Sequence, residues 1–193
     1  MKRFLLASLL AVASASAFAA PSTYTLDPNH TQVQFSYNHF GFSNITGRFD
    51  KFDAQFTFDP ADPTRSSVTV TIPIDSVDMG VQRLDEHLKS PDFFDVAKYP
   101  NMTFQSTKVS AIDASHLKVD GDLSIHGVTK PVVLNVTINK VGEHPMAKVA
   151  AAGFDASTQI KRSDFGVGNY APAVSDEVTI HITTETRVAD AAK

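Results

Sequence analysis

The chain has 193 residues, with 17 Lys+Arg against 21 Asp+Glu and neither cysteine nor tryptophan. An acidic balance without a basic run excludes the electrostatic footprint of a nucleic-acid binder. Zero cysteine excludes disulfide bracing, thiol chemistry and a lipid anchor through a lipobox, while 14 Phe without polar handles belong in an interior or an apolar pocket.

The N-terminus reads as a cleavable export signal. Lys2 and Arg3 are followed by an apolar run over 4–12, and Ala17-Phe18-Ala19 has the small-x-small form of a cleavage site. The mature chain then starts at Ala20, which predicts a periplasmic protein. Removing residues 1–19 leaves 174 residues, ample for a single domain over 20–193, and shifts the formal charge from −4 to −6. No further apolar run of about 18 residues follows, so no membrane-spanning helix is expected.

Period-2 alternation dominates the rest. In TQVQFSYNH, Val33, Phe35 and Tyr37 share one face and Gln32, Gln34, Ser36 and Asn38 the other. Residues 47–58 are strand-like but irregular. Phe49 and Phe52 are out of phase, which predicts a bulge near Asp50–Lys51. After the turn Asp59-Pro60-Ala61-Asp62-Pro63, Val68, Val70, Ile72 and Ile74 again face one way.

Residues 81–98 break the pattern with a short helical insert. Val81, Leu84 and Leu88 form an apolar stripe, Asp85 and Lys89 are spaced as an i,i+4 ion pair, and Ser90-Pro91 restarts the chain before Phe93-Phe94. Such an insert plugs one end of a barrel or lids a cavity mouth. Strand patterns resume over 101–111 and in HLKVDGDLSI, where Leu117, Val119, Leu123 and Ile125 oppose polar neighbours. His126-Gly127 is a turn. Val132, Leu134, Val136 and Ile138 alternate, as do Val178, Ile180 and Ile182, with a weaker segment at 146–160 after a turn at Gly142 to Pro145. The ADAAK terminus reads as a frayed tail. About eight long strands with one apolar side each predict an all-β, closed, antiparallel up-and-down barrel.

Chemistry-bearing motifs are sparse. There is no G-x-S-x-G elbow, no glycine-rich phosphate loop, and no H-x-x-x-H spacing among seven histidines. No metal site, catalytic residue or cofactor is therefore assigned. His39 and His126 precede turn glycines and read as hydrogen-bonded turn histidines. Arg83 on the insert, with Lys161 and Arg162 opening KRSDFGVGNY, are the cations able to meet a polar head group at a cavity rim. The competing reading is solvated charge, or ion pairs with Asp85 or Asp164.

Four segments carry a resemblance: FGFSNITGRF (40–49), DEHLKSPDFFDVAKYPNMTFQST (85–107), GDLSIHGVTKPV (121–132) and GFDASTQIKRSDFG (153–166). Together they closely resemble the YceI-like family of bacterial, commonly periplasmic, polyisoprenoid-binding proteins. The resemblance runs from about Tyr24 to Val188. It implies an extended eight-stranded lipocalin-like barrel with a long apolar cavity for an isoprenoid quinone, a polyprenyl phosphate or a fatty amphiphile. The implied lining is Phe35, Tyr37, Val70, Ile72, Phe93, Phe94, Phe104, Leu123, Ile125, Leu134 and Phe165. Some family domains accompany cytochrome b-type membrane proteins, so the resemblance alone suggests such a partner. A homodimer through exposed strand edges or a shared lid is compatible with the sequence. Without tryptophan, the early G-x-W signature of true lipocalins is missing, and that likeness is one of architecture.

The function expected is a non-enzymatic carrier or reservoir for a long-chain amphiphile. The alternatives are a structural, stress-related barrel filled by its own side chains, a transmembrane β-barrel, and an enzyme acting on a bound lipid. The lack of Trp for interfacial girdles, the insert and the charged tail argue against the membrane barrel.

Overall fold

The computed structural model describes residues 21–189; the segment 1–19 expected to be an export signal, Ala20 and the last four residues lie outside them. Eleven strands form one sheet: β1 (Ser22–Leu26), β2 (Gln32–His39), β3 (Ser43–Phe49), β4 (Asp53–Phe58), β5 (Ser67–Pro73), β6 (Val77–Asp78), β7 (Asn101–Ala111), β8 (His116–Ile125), β9 (Val128–Glu143), β10 (Ala150–Lys161) and β11 (Glu177–Val188). The helix α1 (Gln82–Lys89) lies between β6 and β7.

Pairing reduces these strands to eight staves. β2 runs along the first half of β11, from Thr179↔Ser36 to Thr183↔Gln32, and β1 along its last residues, from Leu26↔Thr186 to Tyr24↔Val188. β1 and β2 are thus one bent stave. β3 with β4, and β5 with β6, are two more, because β4 pairs with β1 and β5 while β3 pairs with β2 and β6. From there each strand pairs with the next, and β11 returns to the first stave. Every pairing is antiparallel, so the sheet closes as an up-and-down barrel and leaves no long open edge.

Local chemistry sets this geometry. In β8, Leu117, Val119, Leu123 and Ile125 are buried while His116, Lys118 and Asp122 are exposed. The hairpin from β8 to β9 turns on His126 (φ +52°) and Gly127 (φ +77°), a two-residue turn of positive φ that matches strand twist. The irregularity expected near Asp50–Lys51 is a full break rather than a bulge. β3 ends at Phe49, the Asp50 N–H donates to the Ser76 carbonyl at 3.0 Å, and β4 starts at Asp53. That break brings the out-of-phase Phe49 and Phe52 both to the inside.

Two apolar clusters result. The larger joins Phe49, Ile74, Val77, Met102, Phe104 and Phe165 with other inward residues. The smaller groups Tyr24, Phe58, Ala152 and Phe154 at the end of the barrel remote from the insert. Its rings meet edge to face, Phe58 on Phe154 at 5.1 Å and Tyr24 on Phe58 at 5.6 Å, and they form a floor.

Candidate functional site: a lidded apolar cavity

The barrel encloses a cavity of about 700 Å³ whose walls are almost entirely carbon. Alternation places the lining. Phe35 and Tyr37 come from β2, Val70 and Ile72 from β5, and Phe104 from β7. Leu123 and Ile125 come from β8, Leu134 from β9, and Phe165 from the 3-10 turn after β10. Phe93 and Phe94 come from the insert. All of these apolar positions named from the sequence therefore face one space. Phe49, Phe52, Phe56, Phe154, Ala156 and Thr158 also line it, although none of them was among the expected lining residues.

The insert covers one end. Leu88, Phe94 and Val96 pack against the main core, with Phe94 edge-on to Phe49 at 6.4 Å. Asp85 forms no ion pair with Lys89; its carboxylate accepts from the Met79 N–H at 2.7 Å and ties α1 to the end of β6. Ser90 does cap the following turn, accepting from the Asp92 N–H at 3.3 Å. Phe93 stands against His87 (4.9 Å) and Tyr170 (6.1 Å), and the Asn169 side-chain amide donates to the Asp92 carbonyl. The lid is thus fastened to the loop after Phe165. Phe40, Leu84 and Tyr170 both line the cavity and reach solvent. An opening therefore lies between the β2–β3 turn, α1 and that loop.

The three rim cations part company. Arg83 is exposed on α1 and Lys161 is exposed at the end of β10, and neither lines the cavity. Arg162 does line it, yet it is only 9% exposed and spends its guanidinium on backbone. Nε donates to the Ser175 carbonyl (2.8 Å), Nη1 to Val167 (2.9 Å) and Asn169 (2.7 Å), and Nη2 to Val174 (2.8 Å). Neither the ion pair nor the solvated surface charge describes it. Burial pulls its pKa below the ordinary value, and the nearby Asp176 carboxylate opposes that shift. Arg162 is a clamp that shapes the 167–175 loop. Tyr37 sits near it, its phenol pKa raised by burial and drawn back by the Arg162 charge.

The two turn histidines differ from expectation. Among the described residues neither His39 nor His126 makes a side-chain hydrogen bond. His39 packs edge-on against Phe40 at 4.3 Å and His126 against Tyr99 at 4.5 Å. One cluster has the residue types of a cation site: Asp27, His30 and Glu185 bring their ligand atoms within 4.8 Å of one another. The Asp27 carboxylate is already engaged, however. Asp27 accepts from the Asn29 N–H (2.9 Å), contacts His30 Nδ1 (3.1 Å) and pairs with the Arg187 guanidinium, which supplies the positive charge itself.

A closed eight-stave barrel around an apolar, lidded space defines a lipocalin-like class of protein. A profile of the YceI-like domain matches residues 24–186, and the chain belongs to that family. Protein YceI of Escherichia coli O157:H7 is 40% identical over 189 residues, spanning 96% of this chain and 97% of that protein. A UPF0312 protein of Vibrio cholerae El Tor is 37% identical over 185 residues, 94% and 97% of the two chains. Among solved structures, Burkholderia cenocepacia BcnA superposes with a TM-score of 0.76 at 30% identity, covering 83% of this chain and 99% of that one. A polyisoprenoid-binding domain from Saccharophagus degradans shares the fold at a TM-score of 0.66 and 16% identity, covering 87% and 99%.

Proposed function

We propose that this protein is a periplasmic carrier or reservoir that holds a long-chain amphiphile (an isoprenoid quinone, a polyprenyl phosphate or a fatty amide) in its barrel, without catalysing a reaction. One observation carries the reading: the carbon-walled cavity of about 700 Å³ under the insert. The mouth reaches solvent beside Phe40, Leu84 and Tyr170, so an empty cavity would hold water against carbon walls. An apolar occupant that replaces this water gains about 0.8 kcal/mol per buried CH₂. A tail of about 40 carbons would sum past the tightest affinities known, so such a ligand is expected to be partly buried or folded back.

The cavity also weighs against a barrel filled by its own side chains. Charged residues such as Lys118 and Asp122 on the outward face of β8 weigh against a transmembrane barrel, whose lipid-facing band is apolar. The fold relative from Saccharophagus degradans, described as polyisoprenoid-binding, supports a lipid of that class. Phe93 and Phe94 would seal the tail beneath the lid. Of the rim cations Arg83, Lys161 and Arg162, the two exposed ones remain available to a head group outside the mouth. The test is native mass spectrometry of the protein released from its own periplasm by osmotic shock, followed by extraction and identification of lipid. A stoichiometric adduct of isoprenoid or fatty mass is expected. An apo mass that persists after incubation with quinones and polyprenyl phosphates would overturn the proposal.

A further inference from the structure

We propose that the exposed apolar side chains around the cavity mouth form a docking surface for a lipid bilayer, so that the barrel meets a membrane mouth first. The inference rests on the carrier reading and adds where cargo crosses between protein and membrane.

Strand direction assigns each turn to one end of the barrel. The β2–β3 turn, α1 and the 166–176 loop lie at the mouth, and the turns after β4, β7 and β9 lie at the floor end. Most of the large apolar side chains exposed among the described residues stand at the mouth. Phe40 (50% exposed) and Phe42 (92%) come from the β2–β3 turn, Val81 and Leu84 from the start of α1, and Tyr170 (59%) from the loop. Phe40, Leu84 and Tyr170 also line the cavity, so patch and cavity are continuous. The floor end carries ion pairs instead, Arg65 with Asp59, Lys148 with Glu143 and Arg187 with Asp27. A concentrated apolar patch of this kind marks an interaction surface.

The backbone gives independent support. Phe40 (φ +55°) and Gly41 (φ +77°) form the centre of a tight turn, closed by the Phe42 N–H donating to the His39 carbonyl at 3.0 Å. Tyr170 also has positive φ, +66°. Asn or Gly suits such positions, and a bulky ring there is an outlier. Packing does not account for the choice, since about half of each ring faces solvent. The turn is anchored all the same. Asn38 Oδ1 accepts from the Gly41 N–H at 2.7 Å, and the Phe40 N–H donates to the Ala173 carbonyl at 3.1 Å. Phe42 is therefore held out at a fixed tip beside the loop that carries Tyr170.

The cargo identifies the occupant. Each CH₂ shifts partition from water to an apolar phase about fourfold, so a tail long enough to fill the barrel resides in membranes and has to be drawn from one. A ring at a turn tip can enter the boundary between head groups and acyl chains, about 5–10 Å deep, without a complementary surface. Charges beside the patch have both signs, Arg83 and Glu86 on α1 and Lys161 and Asp164 near the loop, and select neither an acidic nor a basic partner. A second copy of the chain seated on the same ring would close both mouths against the exchange a carrier needs.

The wild type has no tryptophan, so Phe42→Trp and Met146→Trp each report from one end; Met146 is 87% exposed in the turn after β9. The probe is vesicles of phosphatidylethanolamine with a minor share of phosphatidylglycerol, carrying brominated acyl chains. Phe42→Trp emission should shift to the blue and be quenched, and Met146→Trp emission should stay unchanged. Flotation of Phe42→Asp with the vesicles should fall at least about tenfold below wild type, the loss expected when one phenyl ring no longer leaves water. Its circular dichroism melt should match wild type, because Phe42 is almost wholly exposed and lies outside the cavity lining. Quenching at neither position, or equally at both, overturns the docking surface. A blue shift of Phe42→Trp that needs higher protein concentration rather than vesicles would give the ring to a second copy and overturn it too. Native mass spectrometry of the wild type separates the two readings. A lipid adduct on a protein that ignores vesicles sinks the docking and leaves the carrier, whereas insertion by a protein that takes up no lipid sinks the carrier and leaves the docking face.

Discussion

Replacing Arg162 by methionine separates a clamp from a ligand contact. The guanidinium bonds four carbonyls, those of Val167, Asn169, Val174 and Ser175, at 2.7–2.9 Å and from an almost buried position. Methionine fills much of the volume but donates nothing. Each carbonyl left without a partner costs about 1–3 kcal/mol, less where water reaches it at the mouth. A net loss of about 3–5 kcal/mol is the reasonable sum, in the range seen when a buried network is broken. For a domain of this size that corresponds to a drop of about 6–20 °C in melting temperature. Arg162→Lys should recover less than half, since a compact ammonium with three donors cannot span carbonyls set around a planar fork. Urea denaturation gives the free energy, and amide exchange across 166–176 shows whether the loop is what loosens. Arg83→Met, exposed on α1, should stay within about 0.5 kcal/mol of wild type. An Arg162→Met protein as stable as the Arg83→Met control, with unchanged exchange in the loop, would refute the clamp.

Phe93→Asp should reduce the lipid that co-purifies, read by native mass spectrometry, while circular dichroism remains that of wild type; unchanged lipid content would count against the lid. Gly121→Val should destabilise by about 1–3 kcal/mol, because a Cβ there would sit 2.4 Å from the Phe104 ring and 2.7 Å from the Gln105 carbonyl. A melt equal to wild type would show that the β7–β8 pair yields more easily than these contacts imply. Stripping the bound lipid should lower the melting temperature, since a ligand held at about 100 times its Kd adds about 2.7 kcal/mol; identical melts before and after extraction would argue for a self-filled barrel. On acidification, Asp113 is held down to about 2 by the Ser115 N–H and His116, and Asp27 and Asp176 are lowered chiefly by side-chain hydrogen bonds from His30 and Ser163. Carboxyls depressed in the folded state stabilise it above their unfolded pKa of about 3.9 and lose that contribution as pH falls through the folded values. The melting temperature should therefore fall between about pH 4 and pH 2, less steeply in Asp113→Asn, and a flat profile there would contradict these assignments.

The barrel was legible because its strands obey one rule: in β2, β5 and β8 the large apolar residues fall on alternate positions, so strand, face and cavity follow together. Legibility failed where that rule is diluted or where long-range contacts decide. On β10 the inward series is Phe154, Ala156, Thr158 and Ile160. Two of its four members are small or polar, so the floor aromatic Phe154 did not stand out. Phe49 and Phe52 announced an irregularity, but whether a bulge or a break resulted depended on the Ser76 carbonyl, 26 residues from Asp50. Arg162 was the largest surprise. In KRSD it looks like any rim cation, and its burial is created by carbonyls supplied from a loop with no periodicity to read. For His39 and His126, the turn was readable from the following glycine, while the aromatic neighbours Phe40 and Tyr99 replaced the expected hydrogen bonds.

The distribution of polarity suggests how one barrel keeps stability and ligand choice apart. Strong charges near the mouth are consumed by the fold: Arg162 by four carbonyls, Asp176 by Ser163, Asp85 by the Met79 N–H. Charges at the floor end are consumed likewise, with Asp59 accepting from the Ala61 and Asp62 N–H groups and pairing with Arg65. What faces the cavity is mostly carbon, with Tyr37, Thr158 and Tyr170 among its few polar members. A tail held by area alone can slide, and its length is bounded only by the space between the Phe94 lid and the Phe154 floor. Changes at Arg162, whose guanidinium serves the loop carbonyls, would therefore disturb the barrel whatever the cargo.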